Sequence, residues 1–268
     1  MRSLLLYAND DSGTLVRLEA ALSVAEVLNS HLHCLQMTYS SDYIFVDPFG
    51  GIYPMVDILD DMRSKEDQFR AQLEGRLERA GARWTWINAP GNPLGASLDR
   101  MKLIDLAIVS IGTDAEAEEP TMAAARLAIR TETPVLAVAT EGVPFNLRGN
   151  VLVAWNGSTE AARALRAAVP LVKNAASVTI VQVVEDGDWR GAIEAAEYLG
   201  YHDIKAEIRQ QGNEEGSVAD ALRRAAVEID ASYIVMGAYG KPRVQERIFG
   251  GVTRSFSKKS PCSLFMAH

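Results

Sequence analysis

Two stretches of this chain repeat each other, and that duplication limits the fold more than any single motif. Leu4-Leu5-Leu6-Tyr7-Ala8-Asn9 aligns with Val151-Leu152-Val153-Ala154-Trp155-Asn156 at an offset of 147 (156 minus 9). The same offset pairs Leu18–Leu22 with Leu165–Val169. Further on, Asp105–Gly112 matches Asp230–Gly237 at an offset of 125 (237 minus 112), and Pro134 matches Pro261. Four elements repeating in one order imply two copies of one unit. Thr140–Asn146, which holds Gly142 and Pro144, suits a linker. The expected division is residues 1–140 and 148–268.

Each unit alternates strand and helix. In the second, apolar runs predict strands near Asn150–Trp155, Val178–Val184, Ile204–Gln210, Ser232–Met236 and Ser263–Ala267. Helical periodicity predicts helices near Ser158–Lys173, Arg190–Leu199, Gly216–Glu228 and Val252–Lys259. Asn156-Gly157-Ser158 supplies a turn and an N-cap, with Ala162, Leu165, Val169 and Val172 as the inward stripe of the helix that follows. Apolar strands alternating with amphipathic helices mean a mainly parallel sheet covered on both faces, a doubly wound α/β fold. Such sheets take ligands beyond the carboxyl ends of their strands.

The stretch with most chemistry at that edge is Gly237 to Thr253. Glycines stand at 237, 240, 250 and 251 between a predicted strand and a predicted helix. Glycine there lets backbone approach a ligand closely, and the helix N-terminus offers unpaired N–H groups to phosphate oxygens. Lys241, Arg243, Arg247, Arg254, Lys258 and Lys259 lie in or just after it, against Glu246 alone. Arg243, inside the loop, is the natural phosphate contact. Lys258 and Lys259 fit a solvated helix end. The alternative reading of the glycines is an ordinary tight strand-to-helix connection.

On these residues the chain resembles the universal stress protein family in its tandem form, over essentially its whole length. Gly237, two residues, Gly240, nine residues and Gly250 fit the phosphate motif of the branch that binds ATP. The resemblance implies two Rossmann-like domains, each a five-stranded sheet of order 3-2-1-4-5. It implies adenosine against Ala154, Trp155, Asn156 and Val183, and the triphosphate against Gly237, Gly240, Arg243, Gly250, Gly251, Val252 and Thr253, with Mg²⁺ alongside. The sequence departs from the family twice. Asn156 stands where an aspartate is usual and brings hydrogen bonds without charge. Gly251 stands where a hydroxyl residue is usual.

The first copy lacks the loop. Its counterpart, Gly112–Pro120, keeps only a leading glycine and carries four acids, which repel phosphate. One nucleotide site per chain is therefore expected, in the second half. Tyr39–Asp61, rich in aromatic, proline and glycine residues, has no counterpart; it fits a partner-contacting loop or a local cover equally. His31 and His33 would share one strand face, but no third metal ligand is evident. The GxGxxG and Walker lysine patterns are absent, and four scattered histidines form no catalytic constellation. A regulatory nucleotide-binding protein is expected rather than an enzyme, slow ATP hydrolysis staying open; the rival is an interaction module that binds no nucleotide.

The 268 residues carry a formal charge of −8, which argues against a nucleic-acid partner. Cys34 and Cys262 fit buried thiols of a reducing compartment. The N-terminal apolar run is too short for a signal or a membrane span. A cytoplasmic protein with a protein partner of unstated identity is expected, and a homo-oligomer is compatible with the sequence.

Overall fold

The computed structural model describes residues 1–38, 56–90, 101–111, 133–184, 190–212, 216–238, 251–258 and 260–268. In chain order these form β1 (Ser3–Tyr7), α1 (Thr14–Leu28), β2 (His31–Thr38), α2 (Val56–Arg79), β3 (Arg83–Pro90), β4 (Leu106–Ile111) and β5 (Val135–Ala139). The second half follows with β6 (Asn150–Trp155), α3 (Thr159–Val172), β7 (Ser177–Val184), α4 (Arg190–Gly200), β8 (Glu207–Gly212), α5 (Val218–Glu228), β9 (Ala231–Gly237), α6 (Gly251–Lys258) and β10 (Ser263–Ala267). A single 3-10 turn, Met101–Leu103, precedes β4.

The strands run in the order β3-β2-β1-β4-β5-β10-β9-β6-β7-β8. Each half is thus a parallel five-stranded sheet of order 3-2-1-4-5, the expected doubly wound fold. The two are joined by one antiparallel pairing, β5 with β10, with Phe265 opposite Leu136. Both strands are buried at every residue, as central strands of one ten-stranded sheet. The linker is sewn to the second half. The Val143 N–H donates to Pro261 O at 2.9 Å, and the Ser232 hydroxyl donates to Asn146 O at 2.6 Å.

Two apolar layers sandwich the sheet. One holds Leu18, Leu73, Leu77, Leu165, Leu171 and Leu199 from α1 to α4; the other holds Leu222, Ala225 and Phe256 from α5 and α6. The inward stripe of α3 differs from the expected one. Ala161, Ala164, Leu165, Ala168, Leu171 and Val172 are buried, while Ala162 and Val169 flank the core half-buried. Ser158 caps α3, accepting from the Ala161 N–H at 3.1 Å, and Ser217 caps α5 in a reciprocal pair with Asp220. The third strand of the second half starts later than expected, at Glu207, because Ile204 is buried in the turn closing α4.

The register between the central strands corrects the internal alignment. β1 sets Leu4 beside Leu106 and Leu6 beside Ile108; β6 sets Val151 beside Tyr233 and Val153 beside Val235. With Leu4 equivalent to Val151, the fourth strands correspond at an offset of 127 (233 minus 106), not 125. The counterpart of Gly237 is therefore Ser110, two residues before Gly112. A two-residue slip keeps every side chain on its own face, so the hydrophobic pattern is blind to it. Part of the discrepancy is a bulge between Asn150 and Val151's partners, where Ser232 is the extra residue.

Both cysteines are buried free thiols, and burial pushes each up to about 12, Glu74 adding to the effect at Cys34. The rings of His31 and His33 lie 4.9 Å apart, and His31 pairs with the Thr85 hydroxyl at 2.7 Å. Among the described residues no three His, Cys, Asp or Glu side chains gather as a metal site, and no helix is long and apolar enough to cross a membrane.

Candidate functional site

The carboxyl ends of β6 and β9, with the first turns of α3 and α6, form the edge where the sequence places its ligand. Ala154 and Trp155 end β6, half-buried on opposite faces of the sheet. Asn156 is exposed and turns back on its own loop, its Oδ1 accepting from the Ser158 N–H at 3.1 Å. Val183 lies near the end of β7, half-buried. Gly237 ends β9, and Gly251, Val252 and Thr253 form the first turn of α6. Thr253 is buried, 3% exposed, and Val252 is half-buried; the backbone N–H groups of this first turn have no acceptor within the helix. Gly240, Arg243 and Gly250 lie outside the described residues, as do the Gly112–Pro120 loop and Tyr39–Met55 of the aromatic stretch; Val56–Asp61 are the first turns of α2.

The two halves differ at this edge. In the first half the corresponding edge holds Arg17, a guanidinium only 2% exposed. It donates to Tyr7 O at 2.6 Å, to Ser110 Oγ at 2.7 Å, to both Asp11 oxygens at 3.1 and 2.8 Å, and to Thr14 Oγ1 at 3.2 Å. Every N–H direction of the fork has an acceptor, as a buried guanidinium requires. Tyr7, Asp11, Thr14, Arg17 and Ser110 correspond to Ala154, Ser158, Ala161, Ala164 and Gly237. The second half has replaced a polar cluster with four minimal side chains and a capping serine.

The asparagines that end the first strands diverge in the same sense. Asn9 reaches across to β2 and accepts from the Met37 N–H at 2.8 Å. Asn156, its counterpart, bonds within its own turn and leaves Val183, the counterpart of Met37, clear of it. A third contrast lies on the next strands. In the first half the Trp86 indole donates to Gln36 at 3.1 Å and to Asn88 at 3.0 Å. In the second half Gln182 and Gln210, the counterparts of Gln36 and Asn88, stand on β7 and β8 beside Trp155 on β6, whose own counterpart is Ala8. There the buried Trp155 Nε1 and Gln210 Nε2 have no hydrogen-bond partner among the described residues.

A doubly wound α/β protein in two halves joined through one ten-stranded sheet is the class this geometry defines. Residues 148–268 match the family model described as the Universal stress protein family. Over the whole chain the fold is that of a universal stress protein from Archaeoglobus fulgidus DSM 4304, with a TM-score of 0.76 and 20% identity, covering 98% of this chain and 97% of that one. A putative universal stress protein from Pseudomonas aeruginosa UCBPP-PA14 is similar at a TM-score of 0.65 and 15% identity, covering 100% and 93%. The cytoplasmic domain of a prokaryotic cation chloride cotransporter shares the arrangement more distantly, with a TM-score of 0.50 and 11% identity over 99% and 94%. No curated protein matches.

Proposed function

We propose that the chain is a tandem universal stress protein whose second half binds ATP and whose first half does not. The observation that carries this reading is the contrast between Arg17 and Ala164. One half spends its switch-point acceptors on an internal cation, and the other presents backbone and small side chains there. On this reading the adenosine lies against Ala154, Trp155, Asn156 and Val183. The triphosphate meets the N–H groups of Gly237, Gly251, Val252 and Thr253 at a helix N-terminus, together with Gly240, Arg243 and Gly250. On this reading Mg²⁺ would accompany the nucleotide, held on its phosphate oxygens.

The role is regulatory: nucleotide occupancy orders the strand-to-helix loop and changes association with a protein partner in the cytoplasm. Titration calorimetry with Mg-ATP tests the reading. Saturable binding at one site per chain is expected, abolished by Gly240→Val and unchanged by substitution of Gly112. No heat, together with no nucleotide released from the denatured protein, would favour the second reading, an interaction module that binds no nucleotide. One observation supports that alternative: Gly237 is required by packing alone, since a Cβ there would lie 2.7 Å from Ala161 N.

A further inference from the structure

α6 carries the phosphate-facing turn, yet nothing in its own sequence holds it in place. It is eight residues long, begins with glycine and contains β-branched Val252 and Thr253. A helix this short is unstable alone, so its position comes from tertiary contacts. Two are evident. Phe256 is fully buried in the layer it shares with α5. The second is Arg223, on the neighbouring face of α5. Its Nη2 donates to Ser255 O at 2.8 Å and to Ser255 Oγ at 2.6 Å, its Nη1 donates to Asp220 Oδ1 at 2.8 Å, and its guanidinium lies 5.1 Å from the Phe256 ring centroid.

Ser255 O is one of the last four carbonyls of α6, the set that has no partner within the helix. A guanidinium there satisfies one of them and complements the negative end of the helix dipole, while the positive end faces the ligand edge. Arg223 is itself held by Asp220, and Asp220 is fastened to the start of α5 by its reciprocal bonds with Ser217. Ser217, Asp220, Arg223 and Ser255 thus form an unbroken polar chain from the N-terminus of α5 to the last turn of α6.

We propose that Arg223 is a positioning residue for the phosphate site: it sets where the N-terminal turn of α6 stands, and so governs affinity for the phosphates but not for the nucleoside. This rests on the nucleotide reading above. The test is calorimetric titration of the wild type, Arg223→Ala and the milder Ser255→Ala with Mg-ATP and with adenosine, at a temperature where circular dichroism shows all three folded. Arg223→Ala should weaken ATP about tenfold, which is about 1.4 kcal/mol, and adenosine less than twofold. Ser255→Ala should shift ATP in the same direction by a smaller factor. Equal loss of ATP and adenosine would mark a merely structural residue and overturn the inference, as would unchanged ATP affinity in both variants. A wild type that binds neither compound overturns the nucleotide reading itself, a result distinct from either.

Discussion

Gly237 and Glu160 meet backbone to backbone: a Cβ on Gly237 would lie 2.7 Å from the Glu160 carbonyl carbon and 2.9 Å from its Cβ. The equivalent pair in the first half is Ser110 and Gly13, and there the glycine is on the helix side, where an added Cβ would lie 2.4 Å from Ser110 Oγ. The close approach of strand four to helix one is thus kept in both halves, with the missing side chain on opposite partners. Gly237→Ala should therefore cost about 1–3 kcal/mol through overpacking against backbone that cannot rotate away. Urea denaturation would measure it. Gly13→Ala should cost less, because its nearest obstacle is a side chain. Equal costs would mean that the α3 backbone yields as easily as Ser110.

Arg17 and Asp11 invite a test in which the order of effects matters more than their size. Asp11 is one-third exposed in its side chain, whereas Arg17 is 2% exposed. Asp11→Ala strands a guanidinium in the interior and should cost about 3–5 kcal/mol, the usual penalty for an uncompensated buried charge. Arg17→Ala leaves a carboxylate that water can reach, so its loss should be smaller, about 2 kcal/mol, once surface screening is counted. The double variant should be more stable than Asp11→Ala alone. Chemical denaturation of the three variants decides the order; an Arg17→Ala cost above that of Asp11→Ala would mean the cation is not the costlier member.

Asp220 gives a pH signature to the chain of bonds that reaches α6. The Ser217 hydroxyl and backbone N–H, with Arg223 nearby, hold its carboxyl below the ordinary value of 3.8. A carboxylate with a depressed folded value contributes stability that is fully present above the ordinary value and is lost as pH falls through the folded one. The stability difference between wild type and Asp220→Asn should then be constant from about pH 5 to pH 8 and shrink below about pH 4. Unfolding midpoints across that range check the sign. A gap that widens on acidification would reverse it.

How much of this could be read from the sequence depended on whether the signal was local. Strand and helix identities came from apolar periodicity, and the cap at Ser158 from side-chain chemistry that acts within three residues. The register of β4 and β9 did not, because a slip of two preserves the inside–outside pattern, and the bulged Ser232 is absorbed by a contact with Asn146 from the linker. Arg17 reads in sequence as one more helix cation; only the fold brings Tyr7, Asp11 and Ser110 around it. The β5–β10 junction was equally hidden, since a buried strand looks the same whatever lies beside it.

Tyr233 is the clearest case of a polar group the core carries without return. Its side chain is fully buried in the layer under α3, with its ring centroid 5.5 Å from that of Phe145 on the linker. The hydroxyl has no hydrogen-bond partner among the described residues, and burial pushes the phenol well above its ordinary range. An unpaired buried hydroxyl costs about 1–3 kcal/mol relative to water, whereas the apolar ring contacts survive its removal. Tyr233→Phe should therefore stabilise the protein by about 1 kcal/mol, or about 2–4 °C in the midpoint of thermal unfolding for a chain of this size. The ring lies beside Phe145 of the linker, tilted at 45° to it, so the gain should appear in the second half's unfolding and leave Mg-ATP affinity within twofold. Destabilisation of 1 kcal/mol or more would show that the hydroxyl has a bond worth keeping, and that the linker at Phe145 is held by more than apolar contact.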